Sequence, residues 1–523
     1  MNKKRFFQNA LMLIVSTFIL RLVWTAFRVV VSNKVGAECM GLYQLTFAIY
    51  NISVTFASSG INFAATRLVT RALSKDGADR AKAVMRYSII YSLVFGIAAF
   101  IIVFALSDQI GVKLLCDKRS VLSLKSFAIS LPFISVSSAV SGYFYAARNV
   151  VVTLASRVFE QLVQIVSFFV IMQFVPAGNI ELSCCAIVAS SAVSEILSSL
   201  FLIIKFAFDN RKEKSKKEQG IVKKLCSIAM SSAAGAYLKS GLQTVENVLI
   251  PVGFRKYGAS ESAALAGYGI LCSMVMPVIF FPSFVLSSFS MLLIPEFTEA
   301  QTLKRNSEIQ KTSMLAIRLT LMFSLFISAN FICFGKGLGQ LLYSEQQAGT
   351  LIEIMAVLIP FMYLDSIADG MLKGLGEYNR VLAYSSVDTV VSIAMIYFAV
   401  PKFGLYGYIA VIYVSTMLNA FLSIRRLLVV SGNKLSFFSD IIVPFAASLF
   451  SGVTAKQLCT AVLPAVQSAV SVTVMILCSI MLLSAFILIS RGKMYLTVKY
   501  ACDIVFGLKS KSNFKRLTRI NNN

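Results

Sequence analysis

The chain has 523 residues, of which 57% are hydrophobic and 14% charged, with a mean hydropathy of +0.77. Soluble domains average about 45–50% apolar and about 25% charged, so this composition excludes a water-soluble enzyme with an anchor attached. A net charge of +25 without one histidine removes the commonest general base and metal ligand, and at about 20 residues per crossing the length holds roughly fourteen or fifteen spans and no separate globular domain.

Fourteen hydrophobic runs follow one another near residues 8–32, 40–65, 84–106, 121–147, 151–175, 182–206, 225–251, 262–292, 313–334, 351–373, 380–400, 405–428, 440–459 and 466–490. The first lacks an A-x-A-like cleavage site and reads as a retained helix rather than a signal peptide. Placing alternate connections on opposite sides puts 36 of the 49 Lys and Arg on the side of the N-terminus, 9 on the other and 4 (Arg21, Arg28, Lys125, Lys239) inside spans. The positive-inside rule then places both termini in the cytoplasm, Cys116 outside and Cys502 inside. The basic clusters at Arg67 to Arg86, Lys205 to Lys224 and Arg491 to Arg519 read as topology signals and attraction to anionic membrane lipid; nucleic acid is not an expected partner.

The chain also repeats. LPFISVSSAVSG at 131–142 aligns on IPFMYLDSIADG at 359–370, matching Pro132 with Pro360 and Gly142 with Gly370. Arg5 pairs with Lys224, Arg21 with Lys239, Arg28 with Glu246 and Gly36-Ala37 with Gly258-Ala259 at a slightly smaller offset. The expected fold is all-α and polytopic: a six-helix lobe over 1–224, a second over 225–430 related by a pseudo-twofold along the membrane normal, helices 13 and 14 over 431–490, and a basic tail over 491–523.

Polar residues within spans mark the faces that line a cavity. In the first run Thr17, Arg21, Thr25, Arg28 and Ser32 form one stripe, the two arginines about 20° apart. Arg21 lies about 21 Å along the axis from Phe7, near the midplane, where an arginine costs about 2.5–3.5 kcal/mol unless it faces water or a partner. Arg28 lies nearer the outside and reads as a cavity residue or an interfacial anchor. Lys239 and Glu246 stand two turns apart on the seventh run, each needing a partner elsewhere. Glu195 on the sixth is the expected counter-charge for an arginine or lysine, in a cavity or in a static salt bridge. Coupling or gating candidates are Asp365, Asp369 and Asp388, with Lys373 a local partner for Asp369, and Glu160, with Arg157 as its alternative partner. Pro277 and Pro282 bend the eighth run, as a hinge or for packing. Ten cysteines without a C-x-x-C pair read as buried small hydrophobes. With no nucleophile–base arrangement and no P-loop motif, no catalytic residue, metal or cofactor is expected.

The opening FQNALMLIVSTFILRLVWTAFRVVVSNKVGAECMGLYQL, GYFYAARN at 142–149, RVFEQLVQI at 157–165, VENVLIP at 245–251, LIPEFTEA and DGMLKGLGE resemble the stage V sporulation protein B family. These bacterial polysaccharide-biosynthesis membrane proteins belong to the superfamily of multidrug, oligosaccharidyl-lipid and polysaccharide exporters. The resemblance implies fourteen helices and alternating-access movement of a lipid-linked sugar, such as an undecaprenyl-pyrophosphate-linked cell-wall unit, across the cytoplasmic membrane, with cell-wall polymerases as further partners. Relatives that flip this lipid carry cavity arginines in spans one, two and eight; Arg21 and Arg28 match the first, and the other two spans have no internal basic residue.

Chemistry favours the same class, because an arginine fork matches phosphate oxygens. Exporting two negative charges gains about 4.6 kcal/mol at about 100 mV. The rival readings are a multidrug/cation antiporter of the same superfamily and a membrane scaffold that recruits cell-wall synthases through its basic tail.

Overall fold

The structure, a computed structural model, describes residues 3–75, 78–176, 178–209, 221–343, 345–433 and 438–462. Its regular elements there are all helical. In order they are α1 (Lys3–Ser58), α2 (Ile61–Lys75), α3 (Ala78–Gln109), α4 (Ser120–Ala128), α5 (Leu131–Ala146), α6 (Val150–Met172), α7 (Ile180–Asp209) and α8 (Ile221–Lys256). There follow α9 (Glu261–Gly269), α10 (Met276–Phe280), α11 (Ser283–Thr302), α12 (Asn306–Tyr343), α13 (Gln346–Ala356), α14 (Ile359–Gly374), α15 (Tyr378–Ser431) and α16 (Val443–Val462). Three π-helical turns, Ile110–Leu114, Ile270–Val275 and Phe438–Ile442, join some of them.

These helices cover thirteen of the fourteen expected runs; the run at 466–490, the tail and Cys502 lie outside the described residues. Six described helices are long and apolar enough to cross a membrane, or eight when the bent pairs α4–α5 and α13–α14 each make one span. The count falls short of the runs partly because α15 holds two of them. Neither α1, which carries Arg21 and Arg28, nor α8, which carries Lys239 and Glu246, is among the six. The connection expected after the first run is very short: α1 holds two helical segments that meet at a kink at Gly36, whose φ is 81°. Gly404, at φ 56°, marks such a kink in α15. Both angles lie in the region that glycine reaches without the steric penalty of a Cβ.

The breaks themselves repeat. Positive φ occurs at Gly36 and Gly258, at Arg148 and Gly376, and at Gly178 and Gly404, each pair separated by 222 to 228 residues. The turn at Ser59–Gly60 that ends α1 has its counterpart at Phe281–Pro282 between α10 and α11. A 44° bend between α4 and α5 matches one of 59° between α13 and α14. In both pairs the proline, Pro132 or Pro360, occupies the first turn of the second helix, where its missing N–H costs no hydrogen bond. The run expected at 262–292 is likewise divided: Pro277 opens α10 after a π turn, and Pro282 caps α11.

The described residues form two compact units, one of those up to Ser273 with Thr389–Val411, the other of those in Met274–Asp388 with those from Ile412 to Val462. Lipid tails are as apolar as leucine, so close packing and polar links rather than hydrophobic burial hold such helices together. In the first unit, α1 meets α9 backbone to backbone: a Cβ on Gly269 would sit 2.6 Å from the amide nitrogen of Gly41. Ser273 donates to the Met40 carbonyl at 3.2 Å beside that crossing. In the second unit, the buried Tyr363 donates to the Ile279 carbonyl at 2.7 Å and Tyr343 to that of Met274 at 3.0 Å. There α16 and the turn before it are fixed to α12. Arg318 pairs with Asp440 at 3.1 Å, Lys456 donates to the Cys333 carbonyl at 2.8 Å, and Gly452 lets α16 approach Cys333.

Candidate functional site

The polar stripe of the first run is retained on α1 before its break. Arg21 is exposed, and its carbonyl accepts from Thr25 Oγ1 at 2.9 Å. Arg28 is half-buried, donates to Gln44 Oε1 at 3.5 Å and lies 6.0 Å from the centre of the Tyr43 ring. Both neighbours belong to the same helix beyond Gly36, so the glycine break folds one half of α1 towards the other. The ring and the amide hold the guanidinium by a cation–π contact and a long hydrogen bond.

From Tyr43 an aromatic ladder runs along α1. Tyr43 stacks on Phe47 at 5.7 Å and Phe47 on Tyr50 at 5.4 Å, and Tyr50 meets Phe127 of α4 edge-on at 5.6 Å. Spacings of four and three residues put the three rings on one helical face. At its end the Tyr50 hydroxyl donates to Glu195 of α7. The other carboxylate oxygen of Glu195 is buried without a hydrogen-bond partner. The ladder with Thr46 and Ser191 borders a small cleft. The counter-charge expected for Glu195 is therefore corrected: a tyrosine, not an arginine or lysine, supplies its hydrogen bond, because the aromatic face of α1 fills the space opposite α7.

The remaining candidates of the first unit stand on α6 and α8, and Glu160 is close enough to this pair to act electrostatically on both of its members. Glu160 is half-buried on α6, one turn beyond the hydrogen bond of 2.7 Å that joins Ser156 to Ser198 of α7. Lys239 is exposed on α8 and Glu246 half-buried. Thr244, between them, donates to the Ala48 carbonyl at 3.2 Å, and Asn247 accepts from Tyr268 at 2.9 Å.

In the second unit the acids are gathered between α14 and α15. Asp365 accepts from Asn419 at 2.8 Å, while its second oxygen is buried and unpartnered. Asp369 accepts from Ser423 at 3.2 Å and pairs with Lys373 at 3.7 Å, the local ion pair expected from their spacing. Asp388 accepts from Ser415 at 2.7 Å. Glu160 and Asp388 stand 228 residues apart, the offset of the repeated prolines, so the two halves carry an acid at the same position.

Sequence reasoning missed a polar cluster just beyond the Gly36 break of α1 and at the starts of α4 and α9. Arg119 donates to Glu38 at 2.8 Å and to Asp117 at 2.9 Å, and Ser262 donates to Glu38 at 2.5 Å. Arg255 donates to the Cys116 carbonyl at 2.9 Å. Hydrogen bonds to Asp117, and then Glu38, raise the Arg119 pKa against the opposing effect of burial. Among the described residues no group of three or more His, Cys, Asp or Glu is placed to hold a metal ion.

These features invite comparison with known proteins. The sequence model of the family described as Polysaccharide biosynthesis protein matches residues 6–301, more than half of the chain. The chain belongs to this family. A second model, MatE, matches residues 242–398. Stage V sporulation protein B of Bacillus subtilis (strain 168) is 24% identical over 417 residues, covering 78% of this chain and 80% of the relative. Lipid II flippase MurJ of the same organism is 21% identical over 462 residues, 80% and 82% of the two chains. Among solved structures, lipid II flippase MurJ in an inward closed conformation aligns with a TM-score of 0.67 at 12% identity, over 92% of this chain and 100% of that one. An inward-facing multidrug resistance MATE family transporter of the MOP superfamily aligns at 0.63 and 14%, over 80% and 100%.

This member of the polysaccharide biosynthesis family is thus a multi-pass membrane protein with the transporter fold, helical in all its described elements, a transporter or flippase rather than an enzyme. The paired breaks in its two halves are the local expression of that fold.

Proposed function

We propose that this protein moves a polyprenyl-pyrophosphate-linked saccharide, an oligosaccharide or peptidoglycan precursor, across the bacterial cytoplasmic membrane by alternating access, with both termini in the cytoplasm. The observation that carries the reading is the placement of Arg21 and Arg28. Both lie on one stripe of an otherwise apolar run, Arg21 exposed and Arg28 held by Tyr43 and Gln44. A pyrophosphate offers about two negative charges and oxygen pairs that suit a planar guanidinium fork. The names of the relatives, a sporulation protein and a lipid II flippase, support a lipid-linked sugar as the substrate class. In this reading residues 1–224 and 225–430 are the two lobes, helices 13 and 14 extend the second, and the tail after residue 490 meets the membrane surface or a cell-wall polymerase.

The test is outward movement of defined lipid-linked sugars in reconstituted vesicles, with and without an imposed potential. A negative interior should accelerate export of the anionic lipid. Movement that is indifferent to the sugar lipid and is driven by a cation gradient would favour the antiporter reading. The feature that supports that second reading is the unpartnered oxygen of Glu195 beside Tyr50, which leaves room for a proton or a cation.

A further inference from the structure

Where α2, α3 and α8 meet, a shallow pocket brings together side chains separated by up to 156 residues of sequence. Arg71 of α2, Arg80 of α3 and Lys224 of α8 line it, over an apolar floor that includes Leu68, Val84 and Ile221. Arg71 and Lys224 are exposed and Arg80 is half-buried, whereas Val84 and Ile221 are buried. None of the described lining residues is acidic.

Depth along the helices gives the pocket its meaning. Arg71 lies six residues past the end of the second hydrophobic run, Arg80 four before the third, and Lys224 one before the seventh. All three therefore stand at head-group level on the same side of the membrane, the side carrying the excess of Lys and Arg. Leu68 and Val84 lie nearer the hydrocarbon than Arg71 and Arg80, and the buried Ile221 closes the apolar floor at the start of α8. Cationic rims over apolar floors between helices suit a lipid phosphate whose glycerol and chains continue into the bilayer, and a soluble anion has no use for the floor.

We propose that this pocket binds the phosphate-bearing head group of an anionic lipid of the cytoplasmic leaflet, as a specific site and not as part of a diffuse basic surface. The inference stands apart from the transport reading, since it concerns a resident lipid and not cargo. Such a lipid ties the N-terminal end of α8 to α2 and α3 by bridging Lys224 with Arg71 and Arg80.

The experiment compares the full-length protein in phosphatidylcholine nanodiscs with and without phosphatidylglycerol, reading the thermal midpoint and the phosphatidylglycerol retained in native mass spectra. The parent should be stabilised by phosphatidylglycerol and retain it. The double variant Arg71→Gln/Lys224→Gln should lose affinity by about fivefold per charge removed. Arg67→Gln/Lys223→Gln, with the same net charge, on the same helices but outside the pocket lining, should keep the parent's affinity. Equal losses in both double variants would reduce the pocket to bulk surface potential. Stabilisation by soluble pyrophosphate alone would assign it to a free anion, and no response of the parent to phosphatidylglycerol would end the proposal.

Discussion

The Tyr50 hydroxyl donates to one carboxylate oxygen of Glu195 while the other is buried and unpartnered. One phenol thus carries the satisfaction of an acid inside the helical bundle. Removing it by Tyr50→Phe takes away the close donor of this carboxyl and should cost about 1–3 kcal/mol of stability. Glu195→Gln in the Tyr50→Phe background should restore most of the loss by removing the charge-bearing form. Thermal unfolding of the four proteins of this double-mutant cycle gives the coupling directly, and additive effects would show that the two residues act independently.

Arg21→Gln should insert and unfold much as the parent does, because the side chain is exposed, yet bind a lipid-linked pyrophosphate at least tenfold more weakly, on the order of the about 1.4 kcal/mol that a charge-assisted contact supplies. Arg21→Lys should recover only part, the planar fork being lost. Since Tyr50 is the hydrogen-bond partner of Glu195, Glu195→Gln should not rescue Arg21→Gln. Affinity for the lipid in variants of matched stability decides the matter, and unchanged binding by Arg21→Gln would remove the anionic-cavity reading.

Sidedness is open to direct measurement. Cys116 is exposed, between α3 and α4, and single-cysteine proteins retaining it should react with an impermeant thiol reagent on intact cells. Single-cysteine proteins retaining Cys502 should react only after the membrane is opened. Equal labelling of both on intact cells contradicts the fourteen-span arrangement.

Pro277 and Pro282 bound the five-residue α10, between a π turn and a break. Replacing either by alanine supplies the missing N–H and favours a straighter helix. Transport should fall several-fold while expression and insertion hold. Parental rates in both variants would show that the bends serve packing alone.

Glu377, just before α15, accepts from Arg426 at 2.6 Å and pairs with Arg380 at 3.0 Å. The hydrogen bond from Arg426 is the main cause that holds its pKa below the ordinary glutamate value. A depressed carboxylate contributes stability above its unfolded pKa, and that contribution fades as pH falls through the folded one. Glu377→Gln should therefore be slightly less stable than the parent at pH 7, by under about 1 kcal/mol for a solvent-screened pair. The difference should close below about pH 4. Thermal midpoints of the two proteins against pH check this; a gap that widens in acid has the wrong sign.

Much of this molecule was legible in its amino acids because a bilayer forces a simple code. Long apolar runs set the helices, and the offset between Pro132 and Pro360 revealed the repeat that the backbone breaks then made visible. Less legible was how one span sees another. Glu195 could be recognised as an acid in need of a partner, but periodicity gives the face of a helix and not what stands opposite. The Tyr43, Phe47, Tyr50 spacing was the available signal, hidden because aromatic stripes usually mean packing. The cluster of Glu38, Arg119 and Ser262 escaped because its members sit beside a helix break and at two helix starts, whose approach is a property of the assembled helices. Gly36 fell between two apolar runs, and the connection it makes is only a kink between two helical segments.

The fixing of α16 to α12 has a practical side. With Arg318 on Asp440, Lys456 on the Cys333 carbonyl and Gly452 against Cys333, a spin label or fluorophore placed on the exposed face of α16, for example at Phe450, reports the position of α12. The thirteenth hydrophobic run thus offers an external handle for distance spectroscopy that leaves α14, α15 and their acidic residues untouched.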